Sequence, residues 1–284
     1  MCFNFHHLKV DYKDGNKWEL MEPDYMELKV IFEKWQMGMQ RGNAWNALFW
    51  CNHDQPRIVS RFGNEGEYWK ESAKMLAGMI HLMRGTPYIY QGEELGMTNA
   101  FFDKIEDYRD IEALDIFKDF TERKGFSEAD TLELLRLKSR DNARTPMQWD
   151  DSEKAGFTEG TPWISVNPNH REINAKACLE DENSVFYYYQ KLIKLRHEMP
   201  IITDGVYELL DADNEQVYTY LRRGKKETLV VLANFTEETI MYRLGDEWKE
   251  KEGRLLLANY ETAPETFSGE ITLEPYGAYV YHIV

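Results

Sequence analysis

The sequence predicts an α/β unit built on parallel strands followed by an all-β domain, and three observations lead there. A strand-then-helix order occurs three times before residue 200, a long excursion interrupts the third occurrence, and the texture then changes to short alternating strands. With 284 residues, 43% of them hydrophobic and 14% aromatic, the chain can fill more than one core.

Residues 2–5 form the first short apolar run. A helix opens at Glu22-Pro23-Asp24 and places Leu28, Ile31, Phe32, Trp35 and Met39 on one face at helical spacing. Residues 47–51 are a second buried run, and after Gly66 the same spacing returns in Trp69, Ala73, Leu76, Ala77, Ile80 and Met83. Residues 86–90 make the third strand, whose helix comes only at 185–196, with Phe186, Tyr189, Leu192 and Ile193 on its apolar side. Strand and helix in series imply a parallel sheet with right-handed crossovers. The excursion, residues 91–182, is too long for a loop, and it holds a helix of its own: Ser127 and Asp130 make a capping-box pattern ahead of Leu132, Leu134, Leu135 and Leu137. It reads as a subdomain inserted at the C-terminal end of the third strand, the end at which barrel enzymes build their sites. Beyond Pro200 come seven strand-like segments, 206–210, 217–221, 228–233, 240–244, 254–258, 271–273 and 278–283, separated by Asp, Asn, Gly and Pro. They predict an antiparallel sandwich, with domains over 1–202 (including the insertion) and 203–284.

Thirty-four Lys and Arg against fifty Asp and Glu leave a net charge of −16, a field that excludes nucleic acid and anionic membranes from most of the surface. There is no run of about 18 apolar residues, and the N-terminus has neither a basic start nor a small-residue cleavage site, so a soluble cytoplasmic protein is expected. Cys2, Cys51 and Cys178 are odd in number and far apart, with no CxxC pair, which points to neither a disulfide framework nor a zinc site.

The second strand ends in Phe49-Trp50-Cys51-Asn52-His53-Asp54-Gln55-Pro56-Arg57. A polar cluster directly after a buried strand suits sugar binding, because carboxylate and imidazole groups on a rigid scaffold can hold adjacent hydroxyls. It equally suits a turn in which Asn52 and Asp54 cap the backbone and Arg57 pairs with an acid. The motif continues through Ile58-Val59-Ser60-Arg61-Phe62-Gly63, and two more follow: Gly85-Thr86-Pro87-Tyr88-Ile89-Tyr90-Gln91-Gly92-Glu93-Glu94-Leu95-Gly96-Met97, and Ser139-Arg140-Asp141-Asn142-Ala143-Arg144-Thr145-Pro146-Met147-Gln148-Trp149. In this order they resemble glycoside hydrolase family 13, the α-amylase superfamily, over nearly the whole chain. The first two are similar to its barrel-strand-seven and strand-eight regions, and the third to a loop of its oligo-1,6-glucosidase and phosphotrehalase branch.

The resemblance implies the last three βα units of a (β/α)8 TIM barrel followed by the family's C-terminal β domain. It implies a retaining mechanism, in which an Asp nucleophile and a Glu acid/base about 5 to 5.5 Å apart work through an oxocarbenium-like transition state. Asp54 matches the third carboxylate, a transition-state stabiliser that binds the 2- and 3-hydroxyls of the transferred ring. His53 matches its neighbour at that subsite, and Arg144 an arginine bordering the pocket, although an ion pair with Asp141 or Glu93 is the competing reading. Glu93 is expected to support the site from behind, and Trp50 and Tyr90 to lie in the core. No organic cofactor or metal is implied.

The family's nucleophile sits in an Arg-x-Asp motif and its acid/base in a Gly-Glu motif, both ahead of strand six. No arginine here has an Asp two places later, and Gly66-Glu67, Gly92-Glu93 and Gly269-Glu270 all follow the strand-seven motif. The chain by itself is therefore expected to be inactive, with the missing N-terminal barrel half as its partner.

The first loop, His6-His7-Leu8-Lys9-Val10-Asp11-Tyr12-Lys13-Asp14-Gly15-Asn16-Lys17-Trp18, puts three ammonium groups in an acidic protein. Asp11 and Asp14 alternate with them, so charge counting alone favours a solvated loop. Its residues, and Cys51 before Asn52, resemble the branch acting on trehalose-6-phosphate, where Lys9 and Lys17 match lysines facing the 6-phosphate. A small phosphorylated disaccharide is the expected substrate. An oligo-1,6-glucosidase and a non-catalytic carbohydrate-binding relic are the alternatives.

Overall fold

A computed structural model describes residues 1–248, 251–267 and 269–284. A parallel bridge between Cys2 and Asn46 sets the first apolar run beside β1 (Ala47–Leu48), which pairs in parallel with β2 (Thr86–Pro87). The ladders are shorter than the predicted runs, although residues 49–51 stay buried beyond the last ladder pair. One further bond, from the Tyr88 amide to the Leu48 carbonyl at 2.7 Å, carries the pairing on. Neither outer edge of this set has a strand partner among the described residues, and Met1, Phe3, Tyr88 and Ile89 lie exposed beside it.

Helix α1 (Tyr25–Arg41) connects the first two strands; Asp24 caps it, accepting from the Glu27 amide at 2.8 Å. After β1 come the short α2 (Ile58–Phe62) and α3 (Trp69–His81). Every residue of α3 from Ser72 to His81 is buried, because the helix is covered on several sides at once. The insertion carries α4 (Ile111–Glu122), a helix not among those read from the sequence, then α5 (Glu128–Lys138) and α6 (Ala175–Glu180). Ser127 Oγ accepts from the Asp130 amide at 3.0 Å, as the capping pattern predicts. Ala100, Phe102, Tyr108, Ala113, Leu135 and Ile164 form a small core there. Helix α7 (Val185–Glu198) then returns and packs on α3.

Past α8 (Ile201–Asp204) the chain is antiparallel. The strands are β3 (Val206–Leu210), β4 (Val217–Arg223), β5 (Thr228–Asn234), β6 (Ile240–Arg243), β7 (Gly253–Ala258), β8 (Thr266–Phe267), β9 (Glu270–Leu273) and β10 (Ala278–Ile283). Six of them form a sheet in the order β3-β4-β5-β10-β7-β8, while β6 and β9 pair separately. Strand alternation divides the side chains. Val217 and Leu221 of β4 face a core shared with Tyr242, Trp248 and Ile271. Tyr218 and Tyr220 face the helices, where the Tyr220 hydroxyl donates to the Met79 carbonyl at 2.5 Å. Lys29 of α1 likewise donates to the Val217 carbonyl at 2.7 Å, so this sheet buttresses the helices behind the parallel strands.

Candidate functional site

The run into the site is a buried strand end. Trp50 is wholly buried and its indole N–H donates to the Leu76 carbonyl at 2.7 Å, fixing the point from which the polar turn departs. Asn52 Oδ1 then accepts from the Asp54 amide at 2.8 Å. Asn52 thus caps the turn as the competing reading has it, whereas the Asp54 carboxylate accepts from no backbone amide among the described residues. Its Oδ1 accepts from Arg144 Nη2 at 3.1 Å and Arg140 Nη1 at 3.4 Å, and its Oδ2 lies 3.2 Å from His53 Nε2. The side chain is 45% exposed, so it is gripped from one side and open on the other. Arg144 Nε also donates to the His53 carbonyl at 2.8 Å, tying its own position to the turn.

Both arginines belong to the insertion. Arg140 opens and Arg144 follows the 3-10 turn Arg140–Ala143, which Ser139 caps by accepting from the Asp141 amide at 3.2 Å. The turn is anchored from below, since the Ala143 carbonyl accepts from the Tyr90 hydroxyl at 3.0 Å and from Arg57 Nη2 at 3.4 Å. Arg57 also donates to the Gln91 carbonyl at 2.6 Å and lies over the Tyr90 ring. Arg57 therefore pairs with no acid among the described residues. It is a buried cation spent on carbonyls, fastening the second and third strand ends to the insertion, and burial holds its pKa below the ordinary arginine value.

Arg144 divides its charge. Asp54 is its nearest acid, and Asp141 and Asp110 each lie 3.7 Å from Nη1. Glu93 is not a partner. It is buried behind the site, accepts from the Tyr189 hydroxyl at 2.9 Å, and burial pushes its carboxyl up to about 7 against the pull of that bond. Tyr90 is half-buried rather than fully in the core, with its hydroxyl committed to Ala143.

A further layer was not foreseen. Arg140 grips Asp110 with a fork, Nε to Oδ2 at 2.8 Å and Nη2 to Oδ1 at 2.6 Å, and its Nε lies 3.3 Å from Glu112 Oε2. Lys17 Nζ donates to the same Glu112 oxygen at 2.7 Å and sits 4.6 Å from the Trp18 ring centroid. Burial pushes the Lys17 pKa down, and Glu112 opposes that. Lys17 thus joins the Asp54 cluster through Glu112 and Arg140. Lys9, just after the 3-10 turn His6–Leu8, is exposed, and its ammonium has no partner among the described residues. Arg140 stands four places before Arg144 in the same motif, a signal that could have found it; Asp110 and Glu112 lie in a charge-dense segment with no such mark.

The first loop is pinned by a buried triad. Arg61 Nε and Nη2 donate to Asp11 at 2.7 and 2.5 Å, and Lys138 Nζ donates to Asp11 at 2.5 Å. Arg61 also donates to Gln55, next to Asp54, at 2.8 Å. Loop, strand end and insertion are thereby held to one another. What results is a carboxylate acceptor with one open face, able to hold sugar hydroxyls and to confront developing positive charge. No described helix is long and apolar enough to cross a membrane.

Residues 1–205 match the alpha amylase catalytic domain, and residues 207–280 the maltogenic amylase C-terminal domain. The chain is 53% identical over 288 residues to trehalose-6-phosphate hydrolase of Bacillus subtilis, and 52% over 283 residues to oligo-1,6-glucosidase of Parageobacillus thermoglucosidasius, covering 100% of this chain and 50% of each relative. It superposes on the crystal structure of Bacillus licheniformis trehalose-6-phosphate hydrolase with a TM-score of 0.96 at 51% identity, covering 99% of this chain and 51% of that one. The chain thus spans about half the length of the curated relatives it matches.

Proposed function

On the premise that the chain belongs to the α-amylase family, which its catalytic-domain match shows, we propose that it forms one side of the active site of a retaining α-glucosidase that hydrolyses trehalose-6-phosphate to glucose and glucose-6-phosphate. The observation that carries this is the Asp54 carboxylate, held by Arg144 and Arg140 from one side and open on the other. In this role Asp54 accepts the 2- and 3-hydroxyls of the glucosyl ring, with His53 beside it. The bonds strengthen as the ring gains positive charge, which lowers the barrier without Asp54 forming a bond to carbon. Arg144 holds the carboxylate in place and closes the pocket's rim.

The nucleophile and the acid/base come from the five preceding βα units, which the whole enzyme supplies as this chain's structural partner; the enzyme is cytoplasmic and uses no cofactor. Identities of 53% and 52% do not separate a phosphotrehalase from an oligo-1,6-glucosidase. The first loop favours the phosphotrehalase, because Lys9 and Lys17 would face an anionic leaving sugar and give a neutral one little. The test joins this chain to an N-terminal half of the family and compares trehalose-6-phosphate with isomaltose. Preference for the phosphorylated sugar supports the assignment, and preference for isomaltose replaces it with the oligo-1,6-glucosidase reading.

A further inference from the structure

We propose that Glu112 is a specificity-determining residue: its carboxylate is the built-in counter-ion of Lys17, with which a sugar phosphate must compete for that ammonium. This rests on the phosphorylated-substrate reading above and adds a residue of the inserted subdomain to it.

The Lys17 ammonium is mostly withdrawn from water, between the Trp18 ring and Glu112 Oε2. The connected cluster holds three cations, Lys17, Arg140 and Arg144, against four carboxylates, Asp54, Asp110, Glu112 and Asp141, a formal excess of one negative charge. An anion arriving at Lys17 therefore enters a site that is already over-neutralised, next to a like charge. Two of the carboxylates cannot yield. Asp141 is fully buried and accepts from the Arg109 and Asp110 amides at 2.6 and 2.8 Å, and Asp110 is buried in the Arg140 fork. Glu112 has no such anchor: its side chain is 33% exposed on the first turn of α4, and among the described residues its carboxylate pairs with Lys17 and Arg140 alone. It is the member of the set that can swing toward water or lean on Arg140 when a phosphate takes Lys17. Lys9, unpaired, adds a second cation for the incoming group. A neutral sugar meets a compensated Lys17 and displaces nothing.

The experiment uses this chain joined to an N-terminal half of the family, as in the substrate test, and trace acetylation of lysines, read residue by residue by mass spectrometry, with glucose-6-phosphate as the protecting ligand and exposed Lys225 as the internal reference. In the wild type, glucose-6-phosphate slows acetylation of Lys9 and Lys17, and glucose does not. Glu112→Gln lowers the half-protecting concentration about five-fold, the scale of one partly exposed charge pair, and Glu112→Asp, which keeps the charge, stays near the wild-type value. Protection unchanged or weakened in Glu112→Gln overturns the counter-ion role while leaving the substrate reading intact. No protection of either lysine in any variant overturns the substrate reading and this inference with it.

Discussion

Replacing Asp11 with alanine leaves two cations buried without an anion. The Arg61 side chain is 3% exposed and that of Lys138 5%, and Asp11 receives two bonds from the first and one from the second. Removing one partner of a buried pair costs about 3 to 5 kcal/mol, because the remaining charge has lost its compensation and cannot regain water. Arg61 keeps Gln55 and the Leu8 carbonyl as acceptors, which places the expected loss near the lower end, about 3 kcal/mol. Urea unfolding of the wild type and Asp11→Ala, followed by circular dichroism at pH 7, measures it. The pH dependence has a definite sign. Burial raises the Asp11 pKa, but the bonds and charges of Arg61 and Lys138 outweigh that and hold it below the ordinary 3.8. The triad's contribution is then complete above that ordinary value and is lost as pH falls through the depressed one. A loss under about 1 kcal/mol, or an equal loss at pH 7 and pH 2, would refute the reasoning.

Two further outcomes follow from the same geometry. Glu93, raised to about 7, favours the protonated folded form, so wild-type stability should fall as pH rises from about 4.5 to 7. Glu93→Gln keeps an acceptor for Tyr189 and should flatten that decline, by about 2 to 3 kcal/mol at pH 8, in urea unfolding at pH 5 and 8; parallel curves would contradict it. Lys9→Ala in the assembled enzyme should cost about 1.5 to 3 kcal/mol in kcat/KM for trehalose-6-phosphate and leave an aryl glucoside nearly untouched; equal losses on both would argue against a phosphate contact.

What the sequence made legible was whatever repeats or stands in a row. The apolar faces of α1, α3 and α7 recur at helical spacing, and β3 to β7, β9 and β10 are short β-branched and aromatic runs between turn residues, so each segment announces itself. Helix α4 carries the same kind of signal, Ala113, Phe117 and Phe120 at helical spacing over the insertion's small core, but it lies in a charge-dense segment that reads only as part of the insertion. Strand β8 is two residues long and gives no period to read. Asp54, His53 and Arg144 came from motifs, and the structure brings these three together. The Arg140–Asp110–Glu112–Lys17 chain could not be read in advance, since its contacts join residues 28 to 95 positions apart through a charge-dense segment. The role of Arg57 was hidden for a related reason: a buried arginine spent on carbonyls leaves no complementary charge in the sequence to pair it with.

The central claim is that Asp54 steadies a sugar cation whose attacker and proton donor lie in the other half of the barrel. Its most direct measurement is trehalose-6-phosphate hydrolysis by this chain alone, by this chain joined to the first half of the Bacillus subtilis trehalose-6-phosphate hydrolase, and by the joined protein carrying Asp54→Asn. The account predicts no turnover, turnover, and a loss of at least about a hundredfold in kcat, in that order. Turnover by the chain alone, or a joined Asp54→Asn protein that works at the unsubstituted rate, would contradict it.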